Sequence, residues 1–147
     1  MKITSEAEML QYGRDFAGKI TLPAVVELVG DVGVGKTTFT RGLAEGLGIA
    51  EPITSPSFTI SKRYAFSQNG ANGELVHYDF YRLDDPGIMR EEIEETLSMP
   101  NTVTVVEWGE SVVDLLPDYH YRLEISLNLD GSREVQLQKG VSHENVS

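Results

Sequence analysis

The chain has 147 residues, enough for one domain that buries about two-thirds of its unfolded surface around a hydrophobic core. It carries 23 acidic against 12 basic side chains, for a formal net charge of −11, and no cysteine, which excludes disulfides, thiolate zinc sites, iron–sulfur clusters and cysteine nucleophiles together. The acidic balance opposes the phosphate contacts of a DNA- or RNA-binding domain, and no stretch approaches the ~20 apolar residues of a membrane span. A soluble, cytoplasmic protein with no membrane attachment and no direct DNA binding is expected.

Ser5 is placed to cap a first helix in which Ala7, Leu10, Phe16 and Ala17 recur at roughly helical spacing up to Gly18. Pro23 to Val29 is a nearly continuous, valine-rich apolar run, the pattern of a strand buried on both faces of a parallel sheet. From Lys36 to Leu47 the positions Phe39, Leu43, Ala44 and Leu47 define a second helix, closed by Gly48. Pro52 to Pro56 reads as a loop, and Phe58 to Phe66 and Leu75 to Tyr81 as a strand pair about a turn at Ser67 to Gly73. Pro86 to Leu97 reads as an acidic helix. Thr102 to Val106 is a β-branched interior strand that runs into Glu107-Trp108-Gly109, and Glu110 to Leu116 a short helix. Tyr121 to Leu129 and Arg133 to Gln138 read as a terminal hairpin about Asp130-Gly131-Ser132, and residues 141–147 as a frayed polar tail. With no repeat and no interdomain linker, the pattern is one α/β domain over residues 1–147.

The charge is unevenly placed. Residues 1–73 carry seven basic and seven acidic side chains, and residues 74–147 five basic and sixteen acidic. The densest run, Asp84, Asp85, Glu91, Glu92, Glu94 and Glu95, is either a solvated helix face or an acidic docking surface for a basic protein partner.

Gly30-Asp31-Val32-Gly33-Val34-Gly35-Lys36-Thr37 matches G-x-x-x-x-G-K-[ST] without substitution. A chance match in a chain of this length is on the order of one in two hundred, and the apolar strand before it and amphipathic helix after it reduce that further. The glycines let the backbone turn its N–H groups inward toward the positive end of a helix, where phosphate oxygens are held. Lys36 is then the group that reaches the β- and γ-phosphates, Thr37 the hydroxyl ligand of Mg²⁺, and Thr38 a support for the α-phosphate. This predicts a P-loop NTPase-like, mixed parallel/antiparallel sheet flanked by helices with a C-terminal β-hairpin.

Phosphoryl transfer further needs a carboxylate for the Mg²⁺ shell and a group that positions water. Glu107, at the end of a strand of Walker B type, is the candidate metal ligand, with an exposed or capping carboxylate as the alternative. Asp79, in His77-Tyr78-Asp79-Phe80-Tyr81-Arg82, is the candidate for water or metal-shell positioning. His77 reads as packing or polar scaffolding, and His77, His120 and His143 lack zinc-ligand spacing. Trp108 either covers the site or a partner contact, or fills the core, and Ser55 to Thr59 either senses the γ-phosphate or makes a plain turn. No Asn-Lys-x-Asp motif is present, so ATP is expected rather than GTP.

In order, the blocks GDVGVGKTTFTRGLAEGLG, TSPSFT, HYDFYRL and VEWGE resemble the TsaE (YjeE) family of small bacterial P-loop ATPases, over about residues 5 to 135. The resemblance implies an ATPase required for threonylcarbamoyladenosine at position 37 of tRNAs that read codons beginning with adenine. It implies ATP and Mg²⁺ as cofactors and the TsaB–TsaD complex as partner, with tRNA met only through those partners. It also implies that Gly30 to Thr38, with Asp31, Val32, Gly33, Val34 and Gly35 among them, bind nucleotide. By the same likeness Thr37 and Glu107 hold Mg²⁺, Lys36, Asp79 and Glu107 serve catalysis, and Trp108 is the family's aromatic after the glutamate. Glu6 and Arg133 match weaker family positions near the nucleotide. Ser57 and Met9 depart from the family pattern, where threonine or tyrosine, and threonine, are usual. Two other classes compete: a small-molecule kinase, disfavoured by the short chain and few clustered arginines, and a non-hydrolysing, nucleotide-dependent interaction module.

Overall fold

The computed structural model describes residues 1–31, 33–54, 61–68, 70–80 and 88–139. Within them run β1 (Lys2–Ile3), α1 (Glu6–Ala17), β2 (Ala24–Val29), α2 (Lys36–Gly46), β3 (Ser61–Gln68), β4 (Ala71–Asp79), α3 (Ile88–Leu97), β5 (Thr102–Glu107), β6 (Tyr121–Leu127) and β7 (Arg133–Lys139). Val32, Ser55 to Thr59, Tyr81, Arg82, Asp84, Asp85, the expected start of the acidic helix at Pro86 and the expected tail with His143 lie outside the described residues.

The strands form one sheet in the order β1-β7-β6-β2-β5-β4-β3. The valine-rich β2 lies between β5 and β6, parallel to both, and β4 is parallel to β5. Hairpins β3–β4 and β6–β7, and the edge strand β1 on β7, supply the antiparallel part. The expected mixed α/β sheet with flanking helices and a C-terminal hairpin is therefore the one observed.

Alternation along the strands sorts side chains onto two faces. Val26, Leu28, Leu75, Val103, Val105, Leu123 and Ile125 bury against α1 and α2 in the larger core. Val25, Val76, Tyr78 and Val106 bury with Ile93 of α3 and Val112 in a second core. By the same period of two, His77, Asp79 and Glu107 belong to the face of Leu75 and Val105, the face that carries α2.

The first helix starts as its sequence suggests, with Ser5 Oγ accepting from Glu8 N at 3.1 Å and Glu8 Oε1 accepting from Thr4 N at 2.6 Å. Its buried face differs from the expected one: Ala7 is exposed, and Met9, Gly13, Phe16 and Ala17 are buried. The reason is a seam of glycines between α1 and α2. A Cβ on Gly13 would stand 2.7 Å from Leu43 N, one on Gly46 2.6 Å from Ala17 Cβ, and one on Gly42 would collide with the Leu10 carbonyl oxygen.

Three further expectations shift. Gln68 and Ala71 are register partners and Gly70 takes φ +81°, so the strands of the first hairpin occupy most of the stretch expected to turn. A glycine in the left-handed region lets the chain reverse tightly, which extends the pairing. The short helix expected from Glu110 runs over Gly109–Leu115 and is of the 3-10 type, since Gly109, Ser111 and the pair Val112-Val113 are poor α-helix formers. Strand β6 stops at Leu127, because the turn spans residues 128 to 132: Ser132 O accepts from Asn128 N at 2.8 Å, and Asp130 Oδ1 accepts from Ser132 N at 2.9 Å.

Part of the acidity is neutralised within the fold. Arg63 pairs with Glu74 at 3.0 Å and Glu92 at 3.5 Å, and Arg90 pairs with Asp114 at 2.7 Å. On the buried second face His120 Nε2 lies 3.8 Å from Glu27 Oε1, while its Nδ1 is 2.7 Å from Pro117 O. The neighbouring Glu27 carboxylate raises the His120 pKa above the usual ~6.5 for histidine, against the opposing effect of burial.

Two outcomes follow. Replacing Gly42 with Ala gains intrinsic helix propensity of about 1 kcal/mol but forces α1 off α2, at a cost of roughly 1–3 kcal/mol; thermal denaturation should show a lower Tm, and a raised one would refute the seam. Because the folded pKa of His120 is raised, its contribution is fully present below pH ~6.5 and fades as pH climbs through the folded value. Denaturant titrations of the wild type and His120→Gln should therefore converge from pH 6 to pH 9, and a constant gap would remove the ion pair from the account.

Candidate functional site

The site begins where β2 ends. Gly30 takes φ +153°, Gly33 +84° and Gly35 +113°, and a Cβ on Gly33 would meet nothing within 4 Å. Gly30 is packed differently: a Cβ there would collide with the Ile125 carbonyl oxygen and stand 2.9 Å from Val34 Cγ2, so β6 fixes the root of the loop. Gly35 caps α2 in the left-handed region without a side-chain hydrogen bond, and the first turn, Lys36-Thr37-Thr38, contains no acidic residue. The first N–H groups of α2 thus receive no carboxylate from that turn, which leaves the positive end of the helix suited to an anion from outside the chain.

Lys36 is only 5% exposed. Its ammonium donates to Gly30 O at 2.6 Å, lies 3.7 Å from Glu107 Oε1 and sits 4.1 Å from the centre of the Trp108 ring. Glu107 is 4% exposed and comes from the end of β5, in register with Leu28 of β2 on one side and Asp79 of β4 on the other. Its second oxygen, Oε2, is 2.5 Å from Nε2 of the fully buried His77. An ionised carboxylate accepts here, so the imidazole donates from Nε2, and among the described residues its Nδ1 has no hydrogen-bond partner. The arrangement is a buried Lys–Glu–His chain across the two parallel strands β5 and β4 and the head of α2.

Trp108 settles between its two alternatives. It is half-buried, packs against the second core and still presents its ring to Lys36. Its φ of +56° is the left-handed region, which β5 enters at the point where Phe80 N donates to Glu107 O at 3.0 Å.

Arg133, from β7, clasps the loop from the side: Nε donates to Val34 O at 2.9 Å and a terminal nitrogen to Gly33 O at 3.4 Å. Glu6 accepts from Arg41 at 2.6 Å, and Arg41 also reaches Thr38 Oγ1 at 3.5 Å. Glu6, Met9, Val34, Thr38 and Arg133 line one cavity of about 310 Å³ beside the loop, at the lower end of the range for small-molecule sites. Sequence reading placed Glu6 and Arg133 near the nucleotide only by resemblance. It missed Arg41 and the β1 residue Ile3, which also lines this cavity. A two-residue strand has no periodicity to detect, and Arg41 looks like any helix-surface arginine. Asp31 is exposed on the loop, and Thr37 is half-buried in the first turn of α2.

Thr37 and Glu107 offer hard oxygen donors, the kind that Mg²⁺ takes. Among the described residues no group of three or more His, Cys, Asp or Glu stands ready to hold a metal. Such sparse protein ligation fits Mg²⁺, which keeps waters and leans on substrate phosphates, and does not fit an all-protein cage.

No helix among the described residues is long and apolar enough to cross a membrane. The family model "Threonylcarbamoyl adenosine biosynthesis protein TsaE" matches residues 3–135. The tRNA threonylcarbamoyladenosine biosynthesis protein TsaE of Streptomyces coelicolor is 40% identical over 117 residues, 80% of this chain and 78% of that one. The protein of the same name from Haemophilus influenzae is 33% identical over 144 residues, 92% of this chain and 85% of its own. Among solved structures, YdiB of Bacillus subtilis superimposes with a TM-score of 0.75 at 30% identity, covering 95% of this chain and 84% of that one. A phosphate loop on a mixed α/β sheet, matched by family model, relatives and structure alike, makes this chain a member of the TsaE family.

Proposed function

We propose that this chain is an Mg²⁺-dependent ATPase that acts with the TsaB–TsaD complex in forming threonylcarbamoyladenosine at position 37 of tRNAs reading codons that begin with adenine. The observation that carries the reading is the buried Lys36 at the head of α2, held by Glu107 beside an uncapped helix start. A lysine removed from water keeps its charge only with a counter-charge nearby, and a triphosphate delivers a larger one than Glu107 can.

In this reading the loop N–H groups and the positive end of α2 receive the β- and γ-phosphates, and Lys36 exchanges the Gly30 carbonyl for phosphate oxygen. A Mg²⁺ ion bound here would supply positive charge against the negative charge that develops during phosphoryl transfer. Thr37 and Glu107 are the residues that hold it, with His77 fixing the orientation of the carboxylate. Asp79, beside Glu107 in the sheet register, orients the attacking water. Trp108 shields Lys36 from solvent, which strengthens its attraction for phosphate. The 310 Å³ cavity takes the base and ribose, with Glu6 and Arg133 at its walls. Val32 belongs to the loop by its place in the motif.

Hydrolysis by the chain alone should be slow, since Arg133 is engaged by the loop's own carbonyls and no other described arginine is identified as reaching the loop. Lys36→Ala should lower ATP turnover by on the order of 10²-fold, as loss of one preorganised charge donor does elsewhere; unchanged turnover would sink the site. Asp79→Asn should keep ATP affinity within a factor of about 2 while turnover falls by on the order of 10-fold or more. If that variant still supports tRNA modification in a reaction rebuilt from TsaB, TsaD and tRNA, the chain is a nucleotide-dependent interaction module instead.

A further inference from the structure

A second cleft, of about 440 Å³, opens on the other flank of the phosphate loop at the carboxyl ends of β2, β5 and β6. The nucleotide reading leaves it unused. Leu127, Ile125 and Trp108 supply apolar lining, and Asp31, Glu110 and Glu124 supply three exposed carboxylates. Among the described residues none of these carboxylates forms an ion pair, and no basic side chain lines the cleft. At its rim Leu127 is 61% exposed, and Leu129, two residues on, is fully exposed.

Each feature restricts the occupant. Three carboxylates without a compensating cation repel a phosphate-bearing ligand. A wholly apolar ligand would strip water from those carboxylates without replacing it. Adjacent exposed leucines are the mark of a protein contact rather than of a solvated turn. An arginine satisfies the set, because its guanidinium pairs with carboxylates and stacks on an indole while its neighbours cover the leucines.

We propose that this cleft docks an arginine-bearing, otherwise apolar segment of a partner protein. The inference rests on the proposed function, in which that segment belongs to the TsaB–TsaD complex. Because the cleft shares Gly30, Asp31 and Val34 with the loop, docking and nucleotide binding bias one another reciprocally.

The test is calorimetric titration of purified TsaB–TsaD into the full chain, with a non-hydrolysable ATP analogue titrated separately. Leu127→Asp and the double variant Glu110→Lys, Glu124→Lys should weaken association by about 10-fold or more, a usual loss for charge reversal in a complementary interface, and keep wild-type affinity for the analogue. The control Glu91→Lys, Glu95→Lys makes the same charge change on α3 and should stay within about 2-fold. Cleft variants that bind TsaB–TsaD like the wild type would overturn the docking surface and leave the proposed function standing. Equal losses in the control would do the same, since net charge would then explain them. Loss of analogue affinity in parallel would assign the cleft to nucleotide and overturn the proposal. A wild type that does not associate at all would instead remove the partner from the proposed function, and this surface with it.

Discussion

Burial of the Lys36 ammonium is the constraint on which the rest of the structure turns. Taking an ammonium out of water costs several kcal/mol unless charge and hydrogen bonds replace the lost solvent. Here the replacements come from three directions: the Gly30 carbonyl at the start of the loop, Glu107 at the end of β5 and the face of Trp108. None of them is adjacent to Lys36 in the chain. They converge only because β2 and β5 are parallel neighbours with Leu28 opposite Glu107. The fold's parallel core is thus also the scaffold of its charge site, and a slip of one residue in that register would turn Glu107 to the opposite face of the sheet.

The remaining architecture keeps that arrangement rigid. His77 is in register with Val105, and as the next inward residue before Asp79 on β4 it pins the free oxygen of Glu107. On the other side, β6 blocks any side chain at Gly30 and β7 sends Arg133 to the loop carbonyls. The C-terminal hairpin therefore braces the loop as well as extending the sheet. The glycine seam brings α1 against α2, and with α1 comes Glu6, so that the cavity beside the loop is walled by residues from both ends of the chain.

Much of this was legible in the sequence because local chemistry demanded it. The loop motif announces itself, and the β-branched run of β5 has a direction and an end, which put Glu107 at a strand terminus before any coordinates. The terminal hairpin carried its turn residues. What escaped depends on pairing between distant segments. His77 is the polar scaffolding that the sequence suggested, but its partner Glu107 is 30 residues away and is chosen by sheet register. Gly13, Gly42 and Gly46 owe their place to the close approach of two backbones, a property of the helix pair and not of either helix alone. Glu6 and Arg133 came only from resemblance, and Arg41 not at all, because a surface charge on a helix carries no sign of what it will face. In the acidic second half Glu74, Glu92 and Asp114 are matched within the fold, whereas Glu110 and Glu124 at the second cleft form no ion pair among the described residues.

The account stands or falls on what Lys36 holds when nucleotide arrives. The most direct measurement is a crystal structure of this chain with Mg²⁺ and a non-hydrolysable ATP analogue. The expected result is Lys36 Nζ on the β- and γ-phosphates at the start of α2, Glu107 still bonded to His77, and the base in the cavity between Glu6 and Arg133. An analogue bound away from α2, or a Lys36 still donating to Gly30 with the phosphates out of its reach, would contradict it.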